Sequence, residues 1–412
     1  MLYVWPAFPI VIWDTVNFTS DEDNITAALE HRDRICEIKL GRLTRFQAEK
    51  LVPLMQKSFP ALTKLQLRPD FNLVSRGELP VLPVLPDSFL GGSAPHLRSL
   101  CLASIPFPAF PDFLLSANNP VYLYLHETPS GFISPEMVAA LSALSKLKVM
   151  HLFFWYPDNF GLKVPAPPPL TRSVLPALEV LDLGGDSEYL DDFVGRIDVP
   201  SIICLKIETY NRHINLRDFF HLPQFIGRVE TSLAFDSATF HLWPHDMDVI
   251  LDRKWVTHGS RPRELKLKFL CDTDGPRPSL VEVCNTSFLP LSNIENFHIS
   301  AQHSYRGSAS ELNATQWVEV IRHFSSAKSL YLGSTDFIAP VAFALEHVIE
   351  QGMTDVLPAI QELTVSTVSS RSLPEEPVRE AIEQFVTARG LSVFETFGSF
   401  GGRTSAQDTH EG

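Results

Sequence analysis

A hydrophobic motif of the form L-x-x-L-x-L, with Ile, Val, Met or Phe allowed at the apolar positions, recurs along most of this 412-residue chain. Repeats of this kind cannot bury their apolar face alone and stack on their neighbours, so the motif constrains the fold more tightly than the length does. The clear copies centre on Ile38, Leu65, Leu100, Met150, Leu181, Leu205, Phe297 and Leu363. Degenerate copies, in which the first apolar position is replaced, centre on Leu123, Leu233, Leu265 and Leu330.

The connections between copies carry their own signals. Proline often precedes the motif, as at Pro60, Pro95 and Pro176, and it suits this place because it fixes φ and has no N–H for a strand ladder. Some connections have helical periodicity, whereas residues 165–169 are Pro-rich and irregular. The mean spacing of the copies is about 30 residues, which leaves room for the crossover that a parallel return requires.

We therefore predict an α/β leucine-rich-repeat solenoid of about 12 repeats, with a parallel β-sheet on its concave face. Helices and Pro-rich connections are expected on the convex face. The solenoid is expected to cover residues 1–394, with a start that is either natural or truncated, a capping helix at 374–390 and a disordered tail at 395–412. Because a capped array buries one core without a partner, we expect a monomer.

Charge and cysteine usage restrict the function classes. The chain has 34 Lys and Arg residues against 48 Asp and Glu residues, a net charge of −14, so we expect neither a nucleic-acid nor a membrane partner. The five cysteines form no C-x-x-C pair, which favours a reducing, intracellular location, cytoplasmic or nuclear. The apolar stretch 1–13 has no basic flank and contains two prolines, which indicates a buried strand rather than a signal peptide.

Signatures of catalysis and metal binding are weak. The sequence has no G-x-S-x-G, G-x-x-x-x-G-K-[ST] or H-E-x-x-H motif, so we expect no enzymatic activity and no cofactor. Residues 241–248 include two histidines and two aspartates. Pro244 interrupts any helix that would align those histidines, and no distant third ligand can be nominated, so we expect no metal site.

The motif itself points to a candidate binding surface, because alternation along a strand sends the residues between the apolar positions outward. The position after each central residue forms the row Cys101, Tyr124, His151, Asp182 and Lys206. Two residues further on, the row is Ala103, His126, Phe153, Gly184 and Glu208. The aromatic members and the nearby Trp155 give the candidate protein-binding patch Tyr124, His126, His151, Phe153 and Trp155.

These residues admit two other interpretations. Phe153 and Trp155 could instead be structural, covered by the Pro-rich stretch 157–170, because large apolar groups on a sheet are usually shielded. A covalent site would require Cys101 within hydrogen-bond reach of His151. They are predicted two strands apart, roughly 9–10 Å, which argues against such a pair.

Beyond the repeat, several short stretches resemble one family, the large F-box and leucine-rich-repeat proteins of mushroom-forming fungi. The resemblance extends from residue 4 to about residue 394 and is specific as a set. The similar stretches are 5–12, 85–97, 114–119, 199–200, 222–226, 356–361 and 384–389.

In that family the repeats follow an N-terminal F-box, a short helical module that docks on a Skp-type adaptor and so carries a client to a cullin-RING ubiquitin ligase. No F-box-like segment precedes Trp5 in this sequence. The resemblance therefore implies the client-recognition part of such a protein, with the adaptor as partner only of a longer form that contains an F-box. We expect a non-catalytic module that binds an unknown client protein; the alternative is a stand-alone leucine-rich-repeat scaffold unrelated to ubiquitination.

Overall fold

A computed structural model describes most of the chain, in segments separated by gaps. The described residues are 8–14, 22–69, 82–106, 112–117, 119–126, 135–154, 172–211, 216, 219–243, 246–253, 263–271, 279–286, 289–301, 312–333, 335–366 and 376–396. The chain divides into two compact units. Unit 1 is Met1–Asn211 with Arg217–Leu233, and unit 2 is Arg212–Leu216 with Ala234–Gly412.

Unit 1 is built on a parallel sheet. Its strands are β1 (Ile10–Asp14), β2 (Ile35–Leu43), β3 (Lys64–Pro69), β4 (Ser99–Ala103), β5 (Tyr122–His126), β6 (Val149–Phe153), β7 (Ser173–Val174), β8 (Val180–Gly185), β9 (Ile197–Asp198) and β10 (Cys204–Asn211). In the main sheet the order is β1-β2-β3-β4-β5-β6-β8-β10, and β7 pairs separately with β9. Every pairing between these strands is parallel, as predicted.

The central residues of the motif are direct partners across this sheet. From β2 to β10 the aligned residues are Ile38, Leu65, Leu100, Leu123, Met150, Leu181 and Leu205. All of them are buried. The series has one more member, which the motif did not predict: Ile12 of β1 pairs with Ile38. In β1 the side chain of Ile12 is buried, whereas those of Val11 and Trp13 on the other side of the strand are exposed.

Helices connect several of these strands. They are α1 (Glu22–Leu29), α2 (Arg45–Leu54), α3 (Asp112–Leu115), α4 (Pro135–Ala143), α5 (Ser187–Arg196) and α6 (Leu222–Leu233), with a 3₁₀ turn at Phe89–Gly92. A capping box between Thr44 and Gln47 starts α2, since it satisfies backbone N–H groups that have no helical partner. Apolar side chains of the helices and the strands together form the core of the unit.

One predicted repeat was wrong. Leu233 is the last residue of α6 and not the centre of a strand. The reason is visible in the spacing of the buried residues Leu222, Phe225, Ile226 and Val229, which lie at i, i+3, i+4 and i+7. That helical period outweighs the degenerate strand motif that ends at the same place.

Unit 2 combines a hairpin meander with parallel strands. Its strands are β11 (Ser237–Leu242), β12 (Asp246–Asp252), β13 (Glu264–Cys271), β14 (Asn296–Ala301), β15 (Ser329–Leu332), β16 (Glu362–Ser366) and β17 (Ser392–Thr396). They follow the order β13-β12-β11-β14-β15-β16-β17. Ala238 of β11 aligns with Phe297, Leu330, Leu363 and Val393 on the successive parallel strands.

The expectation of parallel strands throughout was therefore wrong for β11, β12 and β13, which pair antiparallel. Residues 243–245 separate β11 from β12, and a connection this short permits only an antiparallel return. Leu265 lies in β13 as predicted, but its partner is Leu251 of the inserted strand β12.

The helices of unit 2 are α7 (Leu280–Cys284), α8 (Ala314–Arg322), α9 (Thr335–Glu350) and α10 (Glu376–Arg389), with a 3₁₀ turn at Leu291–Asn293. The helix predicted at 374–390 corresponds to α10. β17 follows it and ends at Thr396, two residues inside the predicted tail, and residues 397–412 lie outside the described residues. Among the helices that the structure describes, none has both the length and the apolar character to cross a bilayer.

A buried carboxylate joins two helices of unit 1. Asp191 of α5 accepts hydrogen bonds from the backbone N–H groups of Phe220, His221 and Leu222, at 3.1, 2.8 and 2.7 Å. These groups lie at the start of α6, where backbone donors have no helical partner and a negative charge is favoured. Asp191 therefore caps α6 from a neighbouring helix.

We predict that Asp191→Ala lowers the free energy of unfolding by about 2 kcal/mol, because three backbone donors, of which that of Leu222 is buried, lose a charged acceptor. Urea denaturation followed by circular dichroism measures this change. Asp33→Ala, which alters an exposed turn residue, is the matched control and should change stability by no more than about 0.5 kcal/mol. Equal stability of the two variants would contradict the capping role.

Candidate functional site

The two predicted rows lie in register on one face of the unit 1 sheet, which we call the outer face. Cys101, Tyr124, His151, Asp182 and Lys206 are aligned on successive strands, as are Ala103, His126, Phe153, Gly184 and Glu208. Along β5 and β6 the burial alternates strictly, with half-exposed residues between buried ones. Alternation thus separates the core from the outer face.

Five rings lie together on β5 and β6 and form what we call the aromatic patch: Tyr122, Tyr124, His126, His151 and Phe153. The rings of Tyr124 and His126 are stacked with centroids 5.9 Å apart. His126 lies 5.1 Å from Phe153, and Tyr124 lies 5.6 Å from His151. These separations are typical of interacting rings.

The patch differs from the sequence prediction at two positions. Tyr122 belongs to it, since its ring centroid is 5.5 Å from that of His151; its signal was its place two residues before Tyr124 on the same side of the strand. Trp155 lies outside the described residues, as does the stretch 157–170.

Gly184 explains where the Phe153 ring rests. A Cβ atom added to Gly184 would lie 2.3 Å from Cδ1 of Phe153, a distance at which two carbon atoms cannot coexist. Phe153 and Gly184 are direct partners in the β6–β8 pairing. The missing side chain on β8 therefore lets the ring lie over the neighbouring strand.

His151 is held by a carboxylate on the same neighbouring strand. Its Nδ1 lies 3.1 Å from Oδ2 of Asp182, and both side chains are about one-fifth exposed. The two residues are direct partners in the β6–β8 pairing. Asp182 therefore fixes the orientation of the imidazole while leaving part of the ring accessible.

On the other side of the patch, Arg68 of β3 joins Cys101 and Tyr124. Its Nε donates to the Cys101 Sγ at 3.2 Å, and its guanidinium lies 5.2 Å from the centre of the Tyr124 ring. Burial raises the pKa of the Cys101 thiol, and the positive charge of Arg68 offsets part of that rise. Tyr124 stands between Cys101 and His151 in register, so this thiol and this imidazole do not form a pair.

The region 241–248 holds a polar cluster in unit 2. His241 contacts Ser300 through Nδ1, and Asp248 pairs with Lys266 at 2.6 Å. Burial lowers the pKa of His241. Pro244 and His245 lie outside the described residues. Within the part of the chain that the structure describes, no three His, Cys, Asp or Glu side chains are grouped so as to hold a metal ion.

Comparison with models of protein families, with curated proteins and with solved structures finds no match to this chain.

The contact between Phe153 and Gly184 leads to a packing prediction. Gly184→Ala should lower the free energy of unfolding by about 1 to 3 kcal/mol, because the added methyl group forces the ring out of its position. In a Phe153→Ala background, Gly184→Ala should lower the free energy of unfolding much less. A double-mutant cycle by urea denaturation measures the coupling. Additive effects would show that the ring does not lie over Gly184.

The two tyrosines lead to a prediction about pH. Burial raises the pKa of Tyr122 and of Tyr124 to about 12, with Arg68 acting in the opposite direction, whereas tyrosines of an unfolded chain titrate near 10. The folded state retains these protons longer, so their contribution to stability falls as the pH rises from 10 to about 12. Absorbance at 295 nm should show late ionisation in the folded protein, and Tyr122→Phe/Tyr124→Phe should remove that component. An unchanged titration curve in the double variant would contradict the assignment of the late ionisation to Tyr122 and Tyr124.

Proposed function

We propose that the chain is a non-catalytic protein-binding module built as a leucine-rich-repeat solenoid. The in-register motif and the parallel strands of both units support the repeat architecture. In such an array the outer face of the sheet corresponds to the concave surface, a frequent place for a bound protein.

The observation that carries the proposal is the aromatic patch. Five partly exposed rings on two neighbouring strands contact one another. They are held in place by Arg68, Asp182 and Gly184. Rigid aromatic side chains bury a large area with little loss of conformational entropy, and they dominate the energetics of many interfaces. The patch is thus suited to anchor a protein partner.

The resemblance to F-box proteins specifies the proposal further. By that resemblance the partner is a client of a cullin-RING ubiquitin ligase, and a Skp-type adaptor joins only if a longer form supplies an F-box. Cys36, Cys101, Cys204 and Cys284 form no disulfide, in keeping with the proposed intracellular location, cytoplasmic or nuclear. A stand-alone scaffold that binds a partner without any link to ubiquitination is the alternative.

Single alanine substitutions at Tyr124, His126, His151 and Phe153 test the proposal. Truncation of each anchor should weaken binding by about 2 kcal/mol or more, whereas substitutions at the protein surface usually change folding stability by about 0.5 kcal/mol, so we expect the loss of binding at these partly exposed residues to exceed the loss of stability. The readouts are the melting temperature and the partners that co-purify from cell extract, quantified by mass spectrometry. We expect loss of the same partners from all four variants, with melting temperatures that fall by only a few degrees.

A matched control comes from the unit 2 sheet, where His298 and Tyr331 are direct partners with ring centroids 5.3 Å apart. Alanine at these positions removes the same ring types from another part of the chain and should leave the partners bound. Variants of the patch that melt many degrees lower but retain their partners would identify the rings as core residues. Co-purification of cullin-RING components with the client would favour the ubiquitin-ligase function over the stand-alone scaffold.

A further inference from the structure

Beside the aromatic patch, the outer face carries three cations, which we call the basic corner: Lys39, Lys64 and Arg68. Lys64 and Arg68 flank Gln66 on β3, and Lys39 of β2 is the direct partner of Gln66. From a strand spacing of about 4.8 Å and a rise of about 3.3 Å per residue, the Cα atom of Lys39 is about 8 Å from those of Lys64 and Arg68. The three side chains thus surround a single residue.

The charges of Lys39, Lys64 and Arg68 all act on the thiol of Cys101. Burial raises the pKa of the Cys101 thiol, and Arg68, Lys39 and Lys64 all act to lower it. Cys101 is the direct partner of Gln66 on the next strand. The thiol of Cys101, on the strand next to the corner, thus lies in the field of all three positive charges.

No carboxylate that the structure describes neutralises these cations. Among the described residues, no Asp or Glu oxygen lies within 4.0 Å of the charged groups of Lys39, Lys64 or Arg68. Glu37 lies opposite Lys64 in register without forming an ion pair, so the described side chains here, three cations and one carboxylate, sum to a net charge of +2. Two of the cations contact rings instead, Lys39 over Trp13 at 4.7 Å and Arg68 over Tyr124 at 5.2 Å.

This charge is opposite to that of the whole molecule, which carries −14. An interface gains specificity and speed of association when its local potential is complementary to that of the partner. We infer that the basic corner binds an acidic segment of the protein partner, one in which Asp or Glu residues lie beside an aromatic or aliphatic anchor. The inference rests on the proposed function, since the anchor would occupy the aromatic patch.

The geometry of Arg68 joins the two parts of this surface. Its guanidinium contacts Tyr124 of the patch and belongs to the corner as well, so a carboxylate bound at the corner lies next to the rings. The distance from β3 to β5 is two strand spacings, about 10 Å, which an extended segment covers in about three residues. We therefore expect acidic residues two to four positions from the anchor.

A library of random dodecapeptides displayed on phage, selected against the full-length chain, tests this chemistry. We expect the selected peptides to be enriched in Asp and Glu two to four positions from an aromatic or aliphatic residue. Synthetic fluorescent copies should bind at about 50 mM salt and weaken markedly at about 500 mM, because exposed charges are screened.

Substitutions then locate the binding site. Lys39→Gln/Lys64→Gln should weaken binding of the selected peptides at least tenfold. Lys50→Gln/Lys57→Gln removes the same charge from exposed positions in and just after α2 and should change the affinity less than twofold. Replacing the acidic residues of the peptide by Asn or Gln should have the same effect as the first double variant.

The outcomes distinguish this inference from the proposed function. Peptides that depend on Tyr124 and Phe153 but lack acidic residues, or that tolerate Lys39→Gln/Lys64→Gln, would overturn the inference and leave the proposed function standing. Acidic peptides that require the lysines but bind equally to Tyr124→Ala/Phe153→Ala would retain the basic corner and contradict the role of the patch. Competition by about 10 mM inorganic phosphate as effective as an excess of peptide would indicate a site for small anions and overturn the assignment to a protein segment.

Discussion

Direct pairing of the motif's central residues across the unit 1 sheet is the constraint on which the rest of that unit depends. Leu100, Leu123 and Met150 are aligned on successive strands and fully buried. A slip of one residue would turn every one of these side chains to the outer face, so hydrophobic burial fixes the register strongly. The outer face is therefore determined together with the core: once Leu123 and Met150 are aligned, Tyr124 and His151 must be neighbours.

This dependence explains how much of the fold and the site could be read from the sequence. The apolar spacing around Leu65 and Leu181 repeats with period two, which defines both a strand and its buried side. It does not define the connection that follows, so the antiparallel strand β12, reached through a three-residue link, was not anticipated. At Leu233 two apolar periods overlap, and the longer helical one decides the structure, since α6 buries four side chains along one face.

Residues missed at the site have a different physical origin. Tyr122 follows from alternation alone and could have been found by extending the outward positions to the residue before the motif's centre. Arg68 could not, because its role depends on a long side chain that crosses to Cys101 and Tyr124 on the next strands. The position of Phe153 over Gly184 likewise depends on a rotamer. Strand pairing thus predicts which residues are neighbours but not where flexible side chains end.

The cations of the basic corner repel one another, and ring contacts on the outer face offset part of that repulsion. Like charges close together repel one another, and Lys39 lies diagonally to Lys64 and Arg68 on the neighbouring strand, with Glu37 aligned opposite Lys64. Contacts with Trp13 and Tyr124 offset part of this repulsion, since each exposed cation–π contact contributes about 0.5 to 1 kcal/mol. The same contacts hold the cationic groups against the rings, where a bound carboxylate would meet both an ordered charge and an apolar surface. The cations are thereby held in the geometry from which we infer an acidic, ring-contacting partner.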